Sequence, residues 1–126
     1  MEFKLYKCRI CGNVAYKVVD SGVQLVCCGE DMSELEANTT DGAVEKHVPV
    51  VAEKDGIADI AVGSVTHPME EKHYIMFIAA QSEDTVTIKR LRPGGQPVLK
   101  VLAGEGVKAY ELCNLHGYWK GEKDNG

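Results

Sequence analysis

Apolar and polar residues alternate in short runs along most of the chain, and glycine, proline and acidic turn formers bound those runs, a pattern that predicts β-structure. Residues 48–53 and 57–62 are separated by Lys54-Asp55-Gly56, a hairpin signal. Residues 73–81 form a long apolar run. Residues 85–89 alternate cleanly, as a strand with one wet face does. After a turn at Arg92-Pro93-Gly94-Gly95-Gln96-Pro97, residues 98–103 and 107–112 complete about six or seven short strands at the spacing of an antiparallel β-sandwich. Nearer the N-terminus, residues 14–19 and 23–26 flank Asp20-Ser21-Gly22 and predict a separate small hairpin. Residues 34–43 are polar and rich in turn formers, and read as a linker. The pattern therefore predicts a mainly β chain of two domains, 1–37 and 38–126.

Composition narrows the function classes. The chain has 126 residues, of which 44% are hydrophobic and 26% charged, so neither disorder nor a membrane protein is indicated. No apolar run approaches the roughly 18 residues that a span requires. The N-terminal residues carry charges where a signal peptide needs an apolar stretch, which predicts a cytoplasmic protein. The formal net charge of −5, with no cluster of Lys and Arg, argues against a nucleic-acid partner.

The cysteines and histidines then change the picture. Four of the five cysteines lie close together as Cys8-x-x-Cys11 and the adjacent pair Cys27-Cys28. A reducing cytoplasm disfavours a disulfide framework, so a metal site is the leading reading. A C-x-x-C-G knuckle lets two sulfurs grip one ion while the glycine supplies the turn. Adjacent cysteines point apart along a strand, so Cys27 and Cys28 share an ion only where the backbone bends. Spacing alone does not choose between zinc and iron. Either would staple a segment too short to build its own core.

The fifth cysteine, Cys113, stands three residues before His116, where the last predicted strand stops and Gly117 allows a turn. The other histidines, His47, His67 and His73, fall at strand ends and in loops of the same domain. A lone surface histidine is usually an ordinary solvated residue, and a lone cysteine a small buried hydrophobe. As a set they offer five donors, one more than a closed zinc tetrahedron takes and two histidines more than a blue-copper site uses. Five donors suit ferrous iron with a sixth position open.

These motifs resemble a known family. Cys8-x-x-Cys11 with Cys27-Cys28-Gly29-Glu30-Asp31-Met32 is similar to a desulforedoxin domain. Glu45-Lys46-His47-Val48-Pro49, the segment from His67-Pro68-Met69 to His73-Tyr74, and Cys113-Asn114-Leu115-His116-Gly117-x-Trp119-Lys120 are similar to a superoxide reductase domain. Together they resemble the desulfoferrodoxins, two-iron superoxide reductases of anaerobic and microaerophilic prokaryotes. The resemblance implies a desulforedoxin-like N-terminal domain followed by an immunoglobulin-like antiparallel β-sandwich. It implies two non-haem irons per chain. One would be an FeCys4 centre held by Cys8, Cys11, Cys27 and Cys28. The other would be a catalytic centre with His47, His67, His73 and His116 equatorial and Cys113 axial, His116 binding through Nδ1 and the others through Nε2. It further implies a homodimer, and a small electron donor such as rubredoxin.

The donor chemistry agrees with that activity. Ferrous iron with one thiolate and four neutral imidazoles carries a net charge of about +1, which favours an anion such as superoxide at the open position. Lys46, beside His47, is the candidate for steering the anion and organising a proton-donating water, worth roughly tenfold or more in encounter rate. In the family the residue corresponding to Glu45 occupies the sixth position of the oxidised iron. Without the resemblance, Glu45-Lys46 would be a solvated charge pair worth under about 1 kcal/mol. The rival readings are a non-catalytic iron electron-transfer protein, a zinc-stapled interaction module and a superoxide dismutase.

Overall fold

A computed structural model describes residues 2–40, 42–104 and 106–122. Asp41 of the predicted linker and residues 123–126 at the end of the predicted second domain lie outside the described residues. Two compact units emerge, Glu2–Glu36 and a larger one that begins at Ala37.

The smaller unit holds β1 (Leu5–Lys7), β2 (Val14–Tyr16), β3 (Val26–Cys27), β4 (Glu30–Asp31) and β5 (Ser33–Glu34). The expected hairpin of residues 14–19 with 23–26 does not form. Instead β2 pairs with β1, β1 pairs with β5, and the short β3 turns back onto β4. The reason is local competition by side chains. Lys17 Nζ reaches both the Asp20 carboxylate at 3.0 Å and the Val23 carbonyl at 2.7 Å, while Asp20 accepts the Gly22 N–H at 2.8 Å. These bonds close residues 17–23 into a loop and take its groups from a ladder. Leu5 and Phe3 are buried beneath, and the Phe3 and Tyr16 rings lie 5.2 Å apart.

The larger unit begins with a short helix, α1 (Val44–His47), where an all-β pattern had been expected. Seven strands follow: β6 (Pro49–Lys54), β7 (Ile57–Val62), β8 (Ile75–Ser82), β9 (Thr85–Arg90), β10 (Val98–Leu102), β11 (Lys108–Cys113) and β12 (Gly117–Glu122). They form two antiparallel sheets, ordered β10-β7-β6 and β12-β11-β8-β9. The Ig-like sandwich buries Val51, Ala58, Ile60 and Val62 of the first sheet against Ile75, Ile78, Ala80, Ala109 and Cys113 of the second.

Two departures from the sequence pattern shape the site. Residues 117–122 form the strand β12, where a metal-binding loop alone was expected, and all six pair with β11. The register between β11 and β8 also shifts at Leu112/Cys113, so that Leu112 faces Phe77 while Cys113 faces Ile75. That bulge re-aims the strand end. It lets Ile75 and Ile78, of opposite parity, both reach the core. Asn38, in the supposed linker, donates its N–H to the Tyr118 carbonyl at 2.9 Å and accepts the Lys120 N–H at 2.9 Å, so the chain is already tied to β12 there. No helix among the described residues is long and apolar enough to cross a membrane.

Candidate metal centres

In the smaller unit the donor sulfurs of Cys8, Cys11, Cys27 and Cys28 all lie within 4.8 Å of one another. The Cys11 and Cys27 sulfurs are 3.5 Å apart and those of Cys27 and Cys28 4.0 Å. Two adjacent cysteines reach one point because Cys28 adopts φ +53°, the left-handed bend that the pair requires. The environment of the sulfurs is uneven. The Cys11 backbone N–H, 3.5 Å from the Cys8 sulfur, leads the effects that hold that thiol down to about 6, whereas hydrogen bonding to Cys11 and Cys8 pushes Cys28 up to about 12. Four thiolates cannot share such a space without a cation. A metal ion removes the conflict by replacing the protons.

In the larger unit the ring centroids of His47, His67, His73 and His116 form a four-membered circuit. The sides are 4.7 Å (His47–His67), 4.8 Å (His67–His73), 4.9 Å (His73–His116) and 4.8 Å (His116–His47). The His47–His73 diagonal is 6.5 Å, close to what a square of that side would have. Each neighbouring pair is edge-on, with interplanar angles of 67–78°, and the diagonal pair is nearly parallel. That is a pinwheel around one point. Its donor atoms from His47, His73, Cys113 and His116 lie mutually within 4.8 Å. His67 falls outside that tighter set and joins it through its ring contacts with His47 and His73.

The hydrogen bonds fix which nitrogens face inward. His47 Nδ1 donates to the Ala43 carbonyl at 2.7 Å and His67 Nδ1 to the Pro68 carbonyl at 2.6 Å. With Nδ1 protonated, the lone pair is on Nε2 in both rings. The Nε2 atoms of His47, His67 and His73 are all buried and without a hydrogen-bond partner among the described residues. His116 turns the other way, with Nδ1 3.8 Å from the Cys113 sulfur. Burial lowers the basicity of His47 and takes His67 to about 4, which keeps both rings neutral and able to coordinate. Burial pushes the Cys113 thiol up, and backbone N–H groups of Leu115 and His116 oppose it. Orphaned imidazole nitrogens around a buried sulfur are unsatisfied as protein and satisfied by a metal ion. The donor set fits a ferrous centre.

Local structure explains how the sequence delivers these groups. The turn after β7 grips α1: Val65 N–H donates to the Glu45 carbonyl at 2.9 Å, and Gly63 N–H to the Val48 carbonyl at 3.1 Å. Gly63, at φ +78°, can lie there only because it has no Cβ; one would sit 2.5–2.8 Å from the Val65, Glu45 and Lys46 carbonyl oxygens. Glu45 and Lys46 are exposed on α1 beside the buried His47. Neither makes an ion pair within the described residues. At the other edge, Gly117, the first residue of β12, turns the chain after His116 at φ +85°.

Two residues at this site had no role in the sequence reading. Trp119 stacks on His47 at 5.0 Å and 23°, and its Nε1–H donates to the His116 carbonyl at 2.9 Å. It braces two candidate ligands at once. Glu111 is fully buried two residues before Cys113, and neither carboxyl oxygen has a partner among the described residues. Desolvation pushes its carboxyl up to about 9. The alternation that turns Val107, Ala109 and Cys113 inward was the available signal, since it turns Glu111 inward too.

Comparison with known proteins agrees with this geometry. The sequence profile of the desulfoferrodoxin family matches residues 39–122, and that of the desulfoferrodoxin N-terminal domain matches residues 1–35. The chain belongs to the desulfoferrodoxin family. A desulfoferrodoxin from Desulfarculus baarsii is 45% identical over 123 residues, covering 96% of this chain and 97% of the relative. Among solved structures, the superoxide reductase from Treponema pallidum superposes with a TM-score of 0.74 at 30% identity, covering 96% of this chain and 99% of that one. The one-iron superoxide reductase from Giardia intestinalis gives 0.55 at 33% identity, covering 62% of this chain and 96% of its own.

Proposed function

We propose that this protein is a superoxide reductase, which reduces superoxide by one electron to hydrogen peroxide without forming dioxygen. The observation that carries the reading is the pinwheel of four imidazoles, with three buried and unpartnered Nε2 atoms, closed by His116 Nδ1 and the Cys113 sulfur. His47, His67, His73, His116 and Cys113 would hold the catalytic iron, and Cys8, Cys11, Cys27 and Cys28 a second iron. Iron bound in the five-donor set would supply one-electron reducing power, with the thiolate favouring release of the electron.

The chain's own residues do the rest. Carbonyl acceptors at Ala43 and Pro68 hold His47 and His67 as neutral Nε2 donors. Lys46 brings a positive charge, without an ion pair among the described residues, to the exposed helix that ends in His47, where it draws in the anion and orients a water for the two protonations that release hydrogen peroxide. Glu45 supplies a carboxylate that compensates the added charge of the oxidised centre. We further propose domains at 1–37 and 38–126, a cytoplasmic homodimer serving in detoxification under oxidative stress, and electron transport from a small donor such as rubredoxin. In that scheme the cysteine quartet is an electron store or relay.

The test is metal analysis and a visible spectrum of the purified protein before and after a pulse of superoxide. Two irons per chain are expected, with one centre oxidised stoichiometrically, hydrogen peroxide formed and no dioxygen released. Dioxygen release would indicate dismutation. Two irons with no reaction would leave an electron-transfer protein, and a colourless zinc protein would sink the assignment.

A further inference from the structure

His47 and His67 are each oriented by a hydrogen bond from their own ring. His73 is not: its Nε2 is buried and unpartnered, and its Nδ1 meets no acceptor among the described residues. Yet its ring sits square in the pinwheel, 4.8 Å from His67 and 4.9 Å from His116. With no ring hydrogen bond to hold it, its placement rests on the position of its main chain and on the neighbouring rings.

That main chain is tied down on every side. His73 exchanges both backbone bonds with Glu70, at 2.9 and 3.1 Å. The residues flanking it are gripped by one side chain from the opposite loop. Asn114 Oδ1 accepts the Tyr74 N–H at 2.9 Å, and Asn114 Nδ2 donates to the Lys72 carbonyl at 3.0 Å. The Asn114 backbone N–H also donates to the Tyr74 carbonyl at 3.1 Å. We propose that Asn114 is the positioning residue for His73, clamping the backbone on both sides of that ligand to the loop that carries Cys113 and His116.

The ladder between β11 and β8 shows why an asparagine serves here. Its last pair is Cys113 with Ile75, so the next antiparallel pair would be Asn114 with Tyr74. Asn114 makes the first of that pair's two bonds with its own N–H. Its side-chain oxygen takes the place of its main-chain carbonyl in the second, which frees that carbonyl and lets the chain turn toward His116. One residue thus ends the sheet, starts the ligand turn and locks the opposing ligand segment. The task needs an acceptor and a donor on one short planar group, which a carboxamide on a single methylene supplies without a charge. Aspartate would keep the acceptor but set a charged oxygen against the Lys72 carbonyl. Alanine would keep only the main-chain bond.

This inference rests on the reading of His73 as a metal ligand, and its test does not depend on superoxide chemistry. Asn114→Ala and Asn114→Asp are prepared with both irons in place, and iron loss to a chelator is followed separately for the two centres by their own absorption bands. Groups that orient a metal-binding histidine typically contribute 10–100-fold to affinity or activity. Release from the histidine centre should therefore quicken about 10–100-fold, more in Asn114→Asp, with an altered electron paramagnetic resonance signal in the ferric state. Release from the cysteine quartet should not change. Wild-type release and an unchanged ferric signal in both variants would overturn the proposal, as would equal loss from both centres, which would mean a general loosening. Should Asn114→Ala fail to fold, Asn114→Ser, which keeps a short acceptor, should show a smaller shift of the same kind; wild-type release there would equally overturn it. A wild-type protein that holds iron at the histidine centre but does not react with superoxide would overturn the functional reading and leave the clamp supported or refuted by the release rates alone.

Discussion

Replacing Gly63 by alanine is a sharp test of how the turn after β7 supports the segment that carries His47. The new Cβ would stand 2.5 Å from the Val65 oxygen and 2.8 Å from the Glu45 and Lys46 oxygens. All three are main-chain atoms, and the Glu45 oxygen is held by the Val65 N–H, so no flexible side chain can swing away. Holding alanine at φ +78° costs about 1–2 kcal/mol. Overpacking of this kind adds typically 1–3 kcal/mol. The total of about 2–5 kcal/mol should lower the melting temperature of the sandwich by about 10 °C or more.

Relief of the contacts with the Glu45 and Lys46 oxygens requires pushing α1 away from the turn, and α1 carries Glu45, Lys46 and His47. The variant should therefore lose iron preferentially from the histidine centre, with slower oxidation by superoxide in the fraction that retains it. Calorimetry and the absorption bands of the two centres read both effects. A variant with wild-type melting, iron content and rate would refute the argument that Gly63 is required by this close approach.

Four further outcomes are expected. Lys46→Ala should lower the second-order rate with superoxide about tenfold or more and flatten its ionic-strength dependence; stopped-flow measurements at two salt concentrations that match wild type would exclude the steering role. Glu45→Ala should leave turnover largely intact and shift the visible band of the oxidised centre, and an identical spectrum would count against ligation. Cys28→Ser should abolish the absorption of the cysteine centre and leave the single-turnover reaction at the histidine centre in place, checked by rapid mixing with pre-reduced protein. The last concerns pH. The Glu111 carboxyl is raised from 4.5 to about 9, so between those values the folded chain holds a proton that the unfolded chain has lost. Its stabilisation is complete below 4.5 and declines as pH rises through about 9. Glu111→Gln should flatten the fall in urea midpoint across that window at matched iron loading; an unchanged slope would contradict a neutral buried acid.

Much of the sandwich was legible because its strands announce themselves locally. Ile57–Val62 carries a period of two that its burial keeps, and the alternation around Thr85–Arg90 marks a strand although Ile88 stays exposed. The candidate ligands were legible for a different reason: cysteine and histidine are scarce, and their placement beside turns is unusual for core residues. Strand β12 was not legible, because Gly117, Lys120 and Gly121 interrupt its apolar positions and its Cys-x-x-His neighbour suggests a loop. It becomes a strand by pairing with β11. The expected N-terminal hairpin failed for the opposite reason. Its valines have strand propensity, but Lys17 and Asp20 bind the loop's own backbone, and Val18 and Val19 are left exposed.

By itself, then, the sequence determined which atoms are available to bind metal and the family to which the chain belongs, since donor chemistry and short motifs are properties of residue type and spacing. The carbonyls that turn Nε2 of His47 and His67 inward are local, at Ala43 and Pro68; tertiary structure decided that these rings meet His73 and His116 around one point. It placed Trp119 against His47 and His116, buried Glu111 behind Cys113, and tied Asn114 across to Lys72 and Tyr74. The Asn114 contacts depend on partners brought near by the register of β11 on β8, which shifts at Leu112/Cys113. Ligand identity and the ring orientation of His47 and His67 are written locally, whereas the convergence of the ligands is a long-range product of how two sheets and a short helix are held together.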